Sequence, residues 1–298
     1  MYSELMEIIP DSCIKYNEPM KNHTSFKIGG PVEVLVEADN INNIQKVLEW
    51  ARVKQLPLLV FGQGSNLLVK DQGLKGIAIK LSNNFNKATV NNTEIIAEAG
   101  IRLSALAKLA AKHSLTKLEF AEGIPGSLGG AVVMNAGAYD GEIKNVLKSV
   151  TAINMDGFMR TFTIEEMDLA YRHSVFQKNN YYVLSALLSL EKGKEKEIKA
   201  KMQQFARNRR EKQPLEYPSA GSTFKRPTGH YVGPMIEELG LKGFSIGGAQ
   251  ISIKHAGFII NKGNATAQDV LDLIAYIQNK VYEQYGINLE PELRIVGE

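Results

Sequence analysis

A single cysteine, Cys13, among 298 residues excludes an internal disulfide framework and any multi-cysteine zinc or iron–sulfur site. Neither sign of charge dominates. Thirty-five Lys plus Arg against 32 Asp plus Glu leave a net charge of +3, too balanced for a chain built to coat nucleic acid or an anionic membrane. No apolar run approaches the roughly 18 uncharged residues of a membrane-spanning helix, and the longest, within residues 181–190, has about half that length. The opening MYSELMEIIPDSCIKY lacks a cationic region leading into an apolar stretch, so no secretion signal is expected and the chain reads as soluble and cytoplasmic. No GxxxxGK[ST] occurs, which excludes a P-loop. No GxGxxG occurs either, because GQGSNL places Leu67 where a Rossmann fingerprint needs its third glycine. The five histidines form no HExxH and no pair at helical metal spacing, so they read as isolated surface or capping residues and no metal site is expected.

What is present is enough for a full core: 44% hydrophobic residues over a length that implies about two domains. No fixed-period repeat or low-complexity segment appears. Behind Asn40 the residues Ile41, Ile44, Val47, Leu48 and Ala51 recur at helical spacing, and short β-rich runs follow at 58–61, 67–69 and 77–81. A hairpin is expected around Asn91 and Asn92, a helix over 103–113, strands over 146–155 and 181–190, and a charged helix over 194–212 that connects domains. On that helix Arg207, Arg209, Arg210 and Lys212 read either as a solvated face or as the rim of an anionic-ligand site. A last helix is bracketed by a Thr266 and Asp269 capping box and by Gly286, with the stripe Val270, Leu271, Ile274, Ile277, Val281 and Tyr285.

Glycine is denser than turns require at Gly29 and Gly30, at Gly62 and Gly64, and at Gly123, Gly126, Gly129, Gly130 and Gly137. Glycine lets backbone approach a ligand closely and lets successive N–H groups converge on an anion. Two such clusters about sixty residues apart suit a pyrophosphate gripped from two sides, although each alone can be a tight turn. GFSIG, with Ser245 at its centre, matches a nucleophile elbow in letters but not in context, since a strand-like AQISI follows it instead of a helix.

Six segments then occur in order: NHTSFKIGGP (22–31), FGQGSN (61–66), GIPGSLGGAVVMNAGAY (123–139), YRHSVF (171–176), SAGSTFKRP (219–227) and LEPELRIVGE (289–298). Together they resemble the successive motifs of the UDP-N-acetylenolpyruvoylglucosamine reductase family, from about residue 20 to the end. Only about seventy residues separate Ser222 from Glu292, so the chain resembles the branch with a short substrate domain, and the tyrosine-bearing lid of the longer branch does not carry over.

The resemblance implies an α+β fold of the FAD-binding vanillyl-alcohol-oxidase-like (PCMH-type) class: two α+β subdomains at 1–82 and 83–205, a smaller α+β substrate domain at 206–298, and 287–298 returning near the first. It implies non-covalent FAD held by Gly62, Gly64, Ser65, Asn66, Gly123, Ile124, Pro125, Gly126, Ser127, Gly129, Gly130, Asn135, Gly137 and Ala138, with NADPH as hydride donor. No anchor of a covalent flavin is matched, His23 being the one residue that leaves the point open. The implied partner is a UDP-sugar, contacted by Gln213, Tyr171, Lys225 and Arg226, with no nucleic acid and no membrane.

By the same resemblance Ser222 is the proton donor, Arg172 stabilises the substrate carboxylate and the enolate-like intermediate, and Glu292 is the second acid. The types suit these roles: arginine forks onto a carboxylate and stays charged, whereas serine donates only to a strong base with a cation or relay nearby. Lys225 is open to either that task or the UDP phosphates, with Arg226 favoured for the nucleotide, and Glu290 competes with Glu292 from two residues away. Two other classes stay open: a flavin oxidase of this fold with another substrate, and a non-catalytic UDP-sugar-binding protein.

Overall fold

The computed structural model describes residues 2–298. Its internal contacts divide the chain into two units: unit one is Met1–Tyr16, Val34–Gln63 and Gly76–Arg209, and unit two is Asn17–Glu33, Gly64–Lys75 and Arg210–Glu298. The last boundary falls near the end of the charged helix read from the sequence as a connector.

The first elements are β1 (Ile14–Pro19), β2 (Pro31–Ala38), α1 (Ile41–Val53), β3 (Leu58–Phe61), β4 (Leu67–Val69) and β5 (Leu74–Leu81). Strands β1, β2, β5 and β3 form a sheet in that order, with β3 and β5 parallel from Leu58↔Ile77 to Phe61↔Lys80. A parallel pair needs a crossover, and residues 62–73, which include β4, connect β3 to β5. Asn40 caps α1 by accepting the Asn43 N–H at 2.8 Å, and Ile44, Val47, Leu48 and Ala51 form its buried face.

Next come β6 (Ala88–Asn91) and β7 (Glu94–Glu98), a hairpin in which Asn92 takes the left-handed φ of 55° that asparagine tolerates better than most residues. They are followed by α2 (Leu103–Lys112), α3 (Leu128–Val133), β8 (Leu147–Asn154), β9 (Met159–Thr163), β10 (Tyr181–Ser189) and α4 (Glu195–Lys212). Strands β9, β8, β10, β7 and β6 make a five-stranded antiparallel sheet. Ile95, Ala97, Val150, Ala152, Val183 and Ala186 join Leu103, Leu106, Ala107 and Ala110 of α2 in the core of unit one.

Unit two contains β4, α5 (Val232–Glu238), a three-stranded sheet of β11 (Ser245–Ile246), β12 (Ala249–Ile251) and β13 (Ile259–Asn261), then α6 (Ala267–Tyr285) and β14 (Arg294–Val296). Helix α6 carries the expected capping box and ends at Gly286, φ 66°. Its buried face is Val270, Leu273, Ile274, Ile277 and Val281, while Leu271 and Tyr285 are only half-buried. The expected stripe was one position off at Leu271, because i+3 and i+7 from Val270 select Leu273 and Ile277 and put Leu271 on the flank. Ser245 lies on β11 and accepts from Gln250 Nε2 at 3.0 Å, so no strand–turn–helix elbow surrounds it. Among the described residues no helix is long and apolar enough to cross a membrane.

Candidate active site

Unit one brings Gly62 and the loop at 123–127 into contact. A Cβ on Gly62 would collide with the Ser127 hydroxyl, and a Cβ on Gly129 would lie 2.8 Å from that of Ala99. These glycines permit close backbone approach. The Leu128 and Gly129 amides donate to Ile101 and Ala99 (2.9 and 2.8 Å), fastening the start of α3 to the turn after β7.

Three buried side-chain atoms next to this contact have no hydrogen-bond partner: Gln63 Nε2, Glu122 Oε2 and Arg209 Nε. Arg209 is 8% exposed, donates from Nη1 to the Gly123 carbonyl at 2.9 Å, and lies 5.9 Å from the ring of Tyr139, which itself stacks on Phe205 at 4.3 Å. Burial pulls the guanidinium pKa below the ordinary arginine value, with Tyr139 opposing. Arg209 is therefore no part of a solvated face. It lies on the stripe of Ile198 and Met202, the other buried residues of α4, and that spacing was the available signal. Partnerless buried polar atoms are costly, and two donors and an acceptor beside close-packed glycines suit a ligand that is both anionic and rich in hydrogen-bonding edges. The residues present fit FAD. Gln63 and Glu122 lay beside the glycines singled out in the sequence, one between Gly62 and Gly64 and the other just ahead of Gly123, and were missed because the signal there lay in the glycines themselves.

Tyr171 and Arg172 form the tip of a tight turn closed by Ala170 N–H to His173 O (3.2 Å) and His173 N–H to Ala170 O (3.1 Å). Arg172 has φ 53°, a position that normally takes glycine and that costs an arginine roughly 1–2 kcal/mol. Its guanidinium lies 5.0 Å from the Tyr171 ring centroid. Such strain persists only where the surroundings over-determine it. Here Asn135, 1% exposed, donates to the Ala170 carbonyl at 3.0 Å and to Glu142 Oε2 at 2.9 Å, and accepts from the Lys144 amide at 3.0 Å. Gln177 donates to the Arg172 and Val133 carbonyls, both at 3.0 Å, and the Ser174 hydroxyl also donates to Val133 at 2.7 Å. Gly137 and Ala138 pair with Glu142 and Gly141 on the same stretch.

In unit two, Gly64 packs against the His23 carbonyl, and its own carbonyl accepts from Ser25 N–H at 3.2 Å. His23 is buried and bonds Glu18 at 2.8 Å. Asn66 donates to the Glu292 carbonyl at 3.1 Å and accepts from the Arg294 amide at 2.9 Å, at the head of the parallel β4–β14 pair. The segment bearing Ser222 runs antiparallel to the one bearing Glu292: Glu292 N–H donates to Thr223 O, and Lys225 N–H to Glu290 O, each at 2.8 Å, about the Phe224↔Pro291 bridge. Ser222 is exposed, between Gly221 at φ 81° and the buried Thr223, whose hydroxyl accepts the Ile259 N–H at 3.1 Å.

Glu290 is exposed and bonds Lys225 Nζ at 2.5 Å, whereas Glu292 is half-buried. The two carboxylates thus have different environments, and Lys225 already faces an opposite charge. The Arg226 guanidinium lies 4.4 Å from the Tyr231 ring centroid, and Gln213 is half-buried just after α4. Ser222, Glu292, Lys225, Arg226, Gln213 and residues 64–66 belong to unit two, and Arg172, Tyr171, Gly62 and residues 123–138 to unit one.

Comparison with known proteins adds a family model described as "FAD binding domain", matching residues 32–163, and one described as "UDP-N-acetylenolpyruvoylglucosamine reductase, C-terminal domain", matching 213–296. A UDP-N-acetylenolpyruvoylglucosamine reductase of Syntrophomonas wolfei is 59% identical over 298 residues, covering 100% of both chains. One of Caldanaerobacter subterraneus is 50% identical, covering 100% of this chain and 98% of its own. The crystal structure of UDP-N-acetylenolpyruvylglucosamine reductase from Thermus caldophilus superposes with a TM-score of 0.81 at 34% identity, covering 95% of this chain and 98% of that one. Phl p 4.0202, a glucose dehydrogenase, shares the fold alone, with a TM-score of 0.51 at 15% identity over 63% of this chain and 43% of its own. The fold is the FAD-binding vanillyl-alcohol-oxidase-like α+β fold expected from the sequence. With relatives matched end to end and both halves recognised by their models, the chain belongs to the UDP-N-acetylenolpyruvoylglucosamine reductase family.

Proposed function

We propose that this chain is an FAD enzyme that uses NADPH to reduce the enolpyruvyl ether of UDP-N-acetylglucosamine to UDP-N-acetylmuramate, in peptidoglycan precursor synthesis. The observation that carries this reading is the end-to-end similarity to the Syntrophomonas wolfei reductase, 59% identical. The three partnerless buried atoms at the glycine loops support it independently, since they call for a bound group. The division of labour is 1–82 and 83–205 for FAD and 206–298 for the sugar nucleotide, a division supported by family models that match 32–163 and 213–296.

When bound, FAD supplies the relay that accepts a hydride from NADPH and delivers one to the methylene carbon of the enolpyruvyl group. Gln63, Glu122 and Arg209 offer it side-chain partners next to Gly62 and the loop at 123–127 of the same unit, and by resemblance to the family Gly64, Ser65, Asn66 and the other glycine-loop residues of 123–138 add backbone contacts. As the substrate methylene becomes a methyl group, negative charge builds on the adjacent carbon and its carboxylate. Arg172 meets that charge from a turn whose backbone is already braced before the reaction, which reduces the reorganisation needed during it. Ser222, itself exposed between a half-buried Gly221 and a buried Thr223, passes its hydroxyl proton to the adjacent carbon. Glu292 is the second acid of the site by resemblance to the family, and its half-burial distinguishes it from the exposed Glu290. Lys225 is partnered by Glu290, and by resemblance to the family Arg226 takes the UDP phosphates while Gln213 and Tyr171 complete the sugar-nucleotide contacts. A UDP-sugar is made and used in the cytoplasm, which is where this reading puts the protein.

The test is the visible spectrum of the purified protein under anaerobic conditions. Flavin bands that bleach with NADPH and return only on adding the enolpyruvyl UDP-sugar are the expected result. A protein that cannot be reconstituted with FAD overturns the reading, and a flavin that bleaches but ignores the UDP-sugar points instead to another acceptor on the same fold.

A further inference from the structure

Arg172 sits between two carbonyls that are each gripped by a side-chain amide. Ahead of it, the Ala170 carbonyl accepts from Asn135 Nδ2. At Arg172 itself, the carbonyl accepts from Gln177 Nε2. Both amides are anchored in turn. Gln177 also holds the Val133 carbonyl at the end of α3, beside the Ser174 hydroxyl on the same oxygen. Asn135 also donates to Glu142 and accepts from the Lys144 amide, so both of its N–H bonds and one lone pair of its oxygen are engaged inside the protein. No N–H of the Asn135 side chain is left over for a ligand in this arrangement. Asn135 itself takes φ 40°, a value that asparagine tolerates better than most residues.

We propose that Asn135 and Gln177 are positioning residues that hold the Arg172 turn against α3 and so fix where its guanidinium points. The inference rests on the reading of Arg172 as the stabiliser of substrate charge, and it assigns the Asn135 side chain to the protein scaffold instead of to the flavin. The physical need is clear: an arginine at positive φ relaxes into an ordinary conformation once the grips on its two flanking carbonyls are released, and the guanidinium then moves by the length of a peptide rotation. A displacement of about 1 Å at a charge-stabilising group is enough to lose on the order of a hundredfold in rate.

Gln177→Met is the main variant, because Gln177 is exposed and the substitution keeps its length. Its flavin content, melting temperature and rate of bleaching by NADPH are expected to match the unaltered protein, while reoxidation by the enolpyruvyl UDP-sugar slows about tenfold. Calorimetric affinity of the oxidised protein for that UDP-sugar is expected to weaken in parallel. In an Arg172→Ala background the same substitution is expected to change either quantity by less than about twofold, since a residue acting only through Arg172 has nothing further to remove. Equal fold losses in both backgrounds, or no loss in either, overturn the inference while leaving the role of Arg172 intact. An Arg172→Ala protein that reoxidises at the unaltered rate overturns the reading of Arg172 and the inference with it. Asn135→Ser, which also breaks the buried bonds to Glu142 and the Lys144 amide, is expected to lower the melting temperature and to lose more reoxidation than Gln177→Met, and should it fail to fold, the Gln177→Met cycle decides alone.

Discussion

The two units treat their chemistry-bearing residues in opposite ways. In unit one, Arg172 is locked: its turn is closed by two backbone hydrogen bonds and gripped by Asn135 and Gln177, with Ser174 beside them. In unit two, Ser222 is exposed next to Gly221, and the Glu292 segment is aligned by backbone pairing with residues 223–225 and by Asn66. The contrast follows the work each is proposed to do. A charge that stabilises another charge gains most from being fixed in advance, because no energy is then lost to reorienting it during the reaction. A proton donor must reach the carbon, give up its proton and be reset, which favours a side chain with fewer ties.

The largest expected effect tests the unit-two half of this contrast. Ser222→Ala should slow substrate-driven reoxidation by about 10²–10⁴-fold, the range for losing a positioned proton donor, as measured by anaerobic stopped-flow absorbance. A loss under about threefold would remove Ser222 from the chemistry and break the comparison. Gly62→Val tests the unit-one cradle: the added side chain meets Ser127, and the variant should lose FAD on purification and about 1–3 kcal/mol of stability by denaturant titration. Retention of flavin at the unaltered level would show that the Gly62 and Ser127 contact is not used for it.

Smaller effects sharpen the contrast within unit two. Thr266→Ala removes the capping box of α6, leaves the Asp269 contact to the Gly248 amide (3.0 Å), and should cost about 1 kcal/mol without changing the flavin spectrum. The smallest effect is one of pH. His255 is partly buried, its Nδ1 accepts the Gly257 N–H at 3.1 Å, and burial holds its pKa below the ordinary value of about 6.5. The neutral ring is therefore favoured in the fold, so its contribution is present above about pH 6.5 and is lost as pH falls toward the depressed folded value. Melting curves across that interval should show a shallow loss that His255→Gln abolishes.

Much of this was legible beforehand, and for a common reason. The hairpin at Asn92, the Asn40 cap, the capping box at Thr266 and the stop at Gly286 are decided by residues within a turn of one another, so their letters suffice. The glycine loops were also legible as places of close approach. What was not legible were partners set by long-range pairing. Arg209 looked like one more cation on a charged helix, and only its packing on Gly123 shows that it is buried. Gln177 carried no signal at all in the sequence. Glu290 and Glu292 were told apart in the sequence only by the family motif, which favoured Glu292, and the structure adds that Lys225 sits on the first of them.

By itself, then, the sequence determined the local elements, the family and the residue types available for charge stabilisation and proton transfer, because motif order and short-range periodicity are one-dimensional properties. The tertiary structure alone decided that Gly62 meets Ser127, that Gln63, Glu122 and Arg209 are left with partnerless buried atoms, and that Arg172 is bent into a left-handed turn. Each of these depends on segments tens of residues apart competing for the same space and the same hydrogen-bonding atoms, and that competition is settled only when the chain closes on itself.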